Sequence, residues 1–144
     1  MKRIKSILIV VICVIMTTSV CYAETKVVGN EIVSPYYLVT KKTVEVFSIN
    51  SSGVASMTAS LSPMSKDEVD KVKITLIIKK SNGTSVYSKT YDASWSNLHA
   101  DYRLTKTYQL PSKGIYSFNA VYKCYKNNNL IETITTDYIL DAYS

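Results

Sequence analysis

The chain has 144 residues, with 17 lysines and arginines against 11 aspartates and glutamates, one histidine, three cysteines and 12 tyrosines. The formal charge of +6 falls to +3 once Lys2, Arg3 and Lys5 are set aside as part of an export signal, leaving 14 basic and 11 acidic residues, too mild an excess to mark a nucleic-acid binder. Cys13 and Cys21 lie in that same signal, so Cys124 is left alone with one histidine, and neither a disulfide framework nor a Cys/His zinc site can be assembled.

Lys2, Arg3 and Lys5 precede an unbroken apolar run from Ile7 to Met16, which gives way at Thr17-Thr18-Ser19 to a segment ending Cys21-Tyr22-Ala23. A charged start, a short apolar stretch and small residues before Glu24 predict a secretory signal peptide over 1–23, cleaved after Ala23. The run is shorter than the roughly 20 apolar residues a bilayer span needs, so no transmembrane segment is expected after cleavage. The expected exported product is residues 24–144, enough for one domain with one core. Heavy use of Lys, Asn, Ile and Tyr behind a lysine-led signal points to a Gram-positive-type bacterium.

From there, segment after segment alternates apolar and polar residues at period two, the mark of strands buried on one face. Strands are predicted at about 34–40, 43–49, 54–62, 71–80, 85–91, 102–110, 115–125 and 130–139. Ala55, Met57, Ala59 and Leu61 line one face of the third; Val72, Ile74, Leu76 and Ile78 repeat the pattern, and Tyr116, Phe118, Ala120, Tyr122 and Cys124 form the longest run. Ser51-Ser52-Gly53, Ser81-Asn82-Gly83, Ser112-Lys113-Gly114 and Lys126-Asn127-Asn128-Asn129 supply the turns between them. One helical turn at most is expected, between Pro63 and Asp70. Seven or eight short strands with turn signals every 8–12 residues or so predict an all-β Greek-key sandwich.

Leu110-Pro111-Ser112-Lys113-Gly114-Ile115-Tyr116, followed by Phe118, Ala120 and Tyr122, resembles the tyrosine corner of fibronectin type III and other immunoglobulin-like domains. The resemblance covers about fifteen residues and implies that the Tyr116 hydroxyl bonds to backbone near Leu110 or Pro111; it carries no function. No tryptophan stands at the core position expected in an early strand, and Trp95 falls in a loop-like stretch. With Pro35-Tyr36, the lysine-edged strand at 71–80 and the run from Tyr122 to Tyr125, the whole exported chain also resembles a family of small secreted Gram-positive β-sandwich proteins with no assigned activity. That likeness implies location and fold alone.

Candidate sites are few. His99 has no nucleophile motif beside it, so a hydrolytic triad lacks support, and Cys124 reads as a small buried hydrophobe. Asp67, Glu68 and Asp70 cluster without the order of a calcium loop and read as a solvated turn. Tyr87, Tyr91 and Trp95 are the candidates for an exposed aromatic surface able to stack on a sugar. Lys71, Lys73 and Lys79 project from one side of a strand whose other side is core, a basic stripe suited to an anionic cell-wall polymer or lipid headgroups, and equally to guarding an edge strand against pairing. No catalytic residue, cofactor or metal is predicted. The expected role is that of a secreted, non-enzymatic binding module at or near the cell envelope; the alternative is a secreted effector, antimicrobial or inhibitory, acting on other cells.

Overall fold

Nine strands among the described residues, most of them alternating at period two, form two antiparallel sheets. The computed structural model describes residues 38–144; the signal peptide expected over 1–23 and the opening of the strand expected at 34–40 lie outside the described residues. The strands are β1 (Thr40–Ile49), β2 (Val54–Pro63), β3 (Lys71–Lys80), β4 (Ser85–Asp92), β5 (Ser94–Ser96), β6 (Asp101–Gln109), β7 (Gly114–Lys126), β8 (Asn129–Thr135) and β9 (Ile139–Tyr143). One sheet has the order β1-β2-β6-β5 and the other β4-β3-β7, with β8 and β9 following each other along the far edge of β7. The chain changes sheet between β2 and β3, β4 and β5, and β6 and β7.

The two sheets pack their apolar faces together in a sandwich-like arrangement. Ala55, Met57, Ala59 and Leu61 from β2 face Val72, Ile74, Leu76 and Ile78 from β3 and the β7 run from Tyr116 to Cys124, and all are buried. Phe47 of β1 stacks on Phe118 of β7 with ring centroids 5.3 Å apart. Each fully buried aliphatic side chain contributes about 1.5–3 kcal/mol, so this alternation, with no disulfide among the described residues, supplies the main driving force.

Several boundaries differ from expectation. The segments read as 34–40 and 43–49 belong, from Thr40 onward, to the single strand β1; the polar pair between them marks a bulge, with register passing from Thr40↔Pro63 to Lys42↔Ser62. Ser94–Ser96, read as loop, forms the short strand β5 against Asp101–Arg103. The run read as 130–139 breaks after Thr135: β7 pairs Val121 with Thr135 but Phe118 with Ile139, one residue out of step. Thr136 bridges the break, its N–H and Oγ1 bonding the Ala120 carbonyl and its Oγ1 also accepting from the Ala120 N–H at 3.0 Å. The expected helical turn is a 3₁₀ turn over Lys66–Glu68, where the Ser65 hydroxyl accepts from the Asp67 N–H.

Tyr116 is fully buried and its hydroxyl donates to the Ser112 carbonyl at 2.6 Å, one residue beyond the acceptors expected. Leu110 is buried at the same crossover, and its N–H bonds the Gly53 carbonyl at 2.9 Å, which joins this corner to the β1–β2 turn. β1 is fastened to the far sheet by side chains. Glu132 accepts from the Leu38 N–H and the Thr40 hydroxyl, both at 2.6 Å, and Asp141 accepts from the Ile49 N–H at 2.6 Å.

Candidate functional site

The lysine stripe stands on β3, and β3 lies between β4 and β7, so protection of an edge strand cannot be its purpose. The odd-numbered residues of β3 face outward because the even-numbered ones fill the core. Register then sets Lys73 directly opposite Lys123 of β7 on one flank and Asp92 of β4 on the other. Lys71 reaches Asp92 at 3.4 Å across exposed surface, and such a pair is worth little. Lys79, at the other end of the strand, donates to the Tyr138 hydroxyl at 3.2 Å and sits 5.4 Å from the centre of that ring. The stripe is therefore divided between opposite ends of one face, Lys71 with Lys73 and Lys123 at one end and Lys79 beside Tyr138 at the other.

Between and beside the lysines this face turns apolar. Lys79, Lys80, Ile115, Tyr138 and Leu140 line an open groove of about 480 Å³ across β3, β7 and β9. Ile115 is 54% exposed and Leu140 69%. The sequence reading missed this groove because Leu140 lies beyond the last strand it placed and Tyr138 sits in the break between β8 and β9.

The three aromatic candidates do not share a surface. Tyr87 is only 7% exposed: it packs on Tyr108 with centroids 4.8 Å apart and bonds the Tyr91 hydroxyl at 2.7 Å. Burial, helped by Tyr91, pushes the Tyr87 phenol well above its ordinary range. The cluster plugs the side of the sandwich between β4 and β6, and Lys106 covers Tyr91 at 4.9 Å. Trp95 lies apart on β5, edge-on to Tyr102 at 5.1 Å, and lines a second groove of about 390 Å³ together with Lys41, Lys42, Lys66 and His99.

The remaining candidates have local duties. Asp70 accepts from the Asn127 N–H and from Lys126, both at 2.8 Å, and these bonds hold its carboxyl below the usual range while pinning the β7–β8 turn. Among the described residues no three His, Cys, Asp or Glu side chains gather as a metal site would require. Burial pushes the Cys124 thiol up to about 11, so it stays protonated and unreactive at neutral pH. Among the described residues, too, no helix is long and apolar enough to cross a membrane.

Comparison with protein-family models, with characterised proteins and with solved structures finds no match to this chain. The reading of its function therefore rests on its own residues.

Proposed function

We propose that this chain is an exported, non-enzymatic binding domain of immunoglobulin-like type that docks by charge on an anionic polymer of a Gram-positive cell envelope. The strand orders β1-β2-β6-β5 and β4-β3-β7-β8 support the immunoglobulin-like reading, since they match the A-B-E-D and C′-C-F-G orders of such domains. The buried Tyr116 bonded back to Ser112 at the crossover into β7 supports it again, because this is where the tyrosine corner of those domains lies. The signal-like segment 1–23 supports export.

The observation that carries the binding reading is the outward face of β3 and β7. Lys73 and Lys123 stand directly across from each other there, an arrangement that costs stability when like charges are left to themselves. Lys71 flanks them and Lys79 extends the charge to the far end of the same strand. A flat face of spaced ammonium groups suits a polymer of repeating anionic units, which needs no deep pocket.

The test is retention on purified Gram-positive cell walls. Attraction of this kind weakens as salt shortens the screening length from about 10 Å at 0.1 M to about 3 Å at 1 M. Replacing Lys71, Lys73 and Lys79 with glutamine is expected to abolish retention and leave the melting temperature nearly unchanged, since exposed charges contribute little to the fold. Retention by the triple variant, or retention that survives molar salt, overturns the proposal.

A further inference from the structure

From the groove around Trp95, on a different surface from the β3 face, we infer a separate binding site for an anionic saccharide: a sugar unit carrying a phosphate or a carboxylate. The groove of about 390 Å³ is of the size that holds small ligands. Lys41, Lys42, Lys66 and His99 line it with Trp95 and Met64, and none of the residues lining it carries a carboxylate.

Three local irregularities converge to build it. In a regular strand neighbouring side chains point to opposite faces, so Lys41 and Lys42 would diverge; the β1 bulge lies between Thr40 and Lys42, and both lysines line the groove. Lys66 comes from the 3₁₀ turn at the sheet crossover, which Ser65 caps. Ala100, beside His99, closes the β5–β6 hairpin with a left-handed backbone at φ +51, and that turn sets both residues along the groove.

The lining sets the ligand class. Lysine offers only donors, so an occupant must be rich in acceptor oxygens and bear negative charge. Pro63, Met64 and the indole of Trp95 supply an apolar wall for the C–H face of a sugar ring. The indole is held edge-on to Tyr102, its N–H bonds Asn97 Oδ1 at 2.8 Å, and the Lys66 ammonium rests 5.1 Å from its ring centre. An anion entering between Lys41 and Lys66 draws the Lys66 ammonium off the ring, and the sugar takes its place. Neutral sugar has no charge with which to displace it.

Trp95 is the only tryptophan, so its emission reports on this groove directly. The exported form is titrated at low salt with glucose 6-phosphate, glucuronate and glucose. A saturable change in emission below about 1 mM is expected with one or both anionic sugars and none with glucose; whichever saturates first identifies the anion as phosphate or carboxylate. Lys41→Gln with Lys66→Gln is expected to weaken binding at least about tenfold with an unchanged melting temperature, whereas the Lys71, Lys73, Lys79 variant binds normally. An equal response to glucose, failure of both anionic sugars to saturate, or undiminished binding by the double variant overturns the inference. Since the β3 face is untouched, such a failure leaves retention on cell walls unaffected.

Discussion

The carboxyl of Glu45 on β1 and the hydroxyl of Tyr122 on β7 meet inside the sandwich, each shut off from solvent, with the phenol donating to Glu45 Oε1. Burial raises the Glu45 pKa above 4.5, and the bond from Tyr122 only partly offsets it. A carboxyl raised in this way contributes its full stability below its unfolded pKa, while protonated, and loses that stability as pH climbs through the folded value. Glu45→Gln, neutral and of the same shape, is expected to flatten the fall in urea midpoint as pH rises above the ordinary carboxylate range. A variant that keeps the wild-type slope would show that Glu45 does not titrate in the fold.

Tyr116 closes the crossover between β6 and β7 by donating to the Ser112 carbonyl, with the Ser112 hydroxyl 3.4 Å from its own. Tyr116→Phe keeps the buried ring and deletes the donor, so a loss of about 1–2 kcal/mol is expected in urea unfolding. An unchanged midpoint would reduce the corner to packing alone.

Gly53 is required on two counts. Its φ of +77 is one that residues with a Cβ avoid, and a Cβ added there would lie 2.5 Å from the ring of Tyr143. Gly53→Ala is therefore expected to destabilise by more than the roughly 1–2 kcal/mol of a left-handed backbone alone. Placing it in a Tyr143→Ala background is expected to recover the steric part; strict additivity in that double-mutant cycle would locate the whole cost in the backbone.

The core was legible in the sequence because the buried apolar residues of the runs Ala55 to Leu61, Val72 to Ile78 and Tyr116 to Cys124 recur at a period of two, with only Ile77 and Val121 adding an apolar residue out of phase, and a one-residue slip would turn each run to solvent. What escaped has a common origin: irregularity. The bulge at Lys41 looks in sequence like a gap between strands, the break at Thr136 preserves enough alternation to look continuous, and β5 is too short to have a period. The sites suffered for the same reason. Lys71, Lys73 and Lys79 face outward as expected, but whether β3 is central or at an edge depends on pairings that no local pattern encodes. Tyr87 could not be placed from its strand alone, because its burial depends on Tyr108 from a strand in the other sheet.

Export makes its own prediction. With small residues before Glu24, the chain recovered from culture medium is expected to begin at Glu24, as N-terminal sequencing checks. A product beginning at Met1 or at a lipid-modified Cys21 contradicts it.

Cys124 offers a reporter of opening for the whole sandwich, since the form expected after cleavage at Ala23 carries no other thiol. It is fully buried on the inner face of β7, with the Thr40 hydroxyl 4.0 Å from its sulfur, and burial first, then the nearby charge of Glu132, pushes the thiol to about 11. Only a thiolate reacts with disulfide reagents, so the folded protein at neutral pH presents a group both protonated and out of reach. Labelling must pass through molecules that have opened, and where opening and closing are fast its rate follows the equilibrium between them. Tyr116→Phe, expected to cost about 1–2 kcal/mol, is then expected to speed Cys124 labelling by about 5–30-fold without touching the cysteine or its neighbours. Labelling of the unaltered protein at the rate of a free thiol, or a rate indifferent to Tyr116→Phe, would mean that β7 is exposed by local fraying and not by loss of the fold.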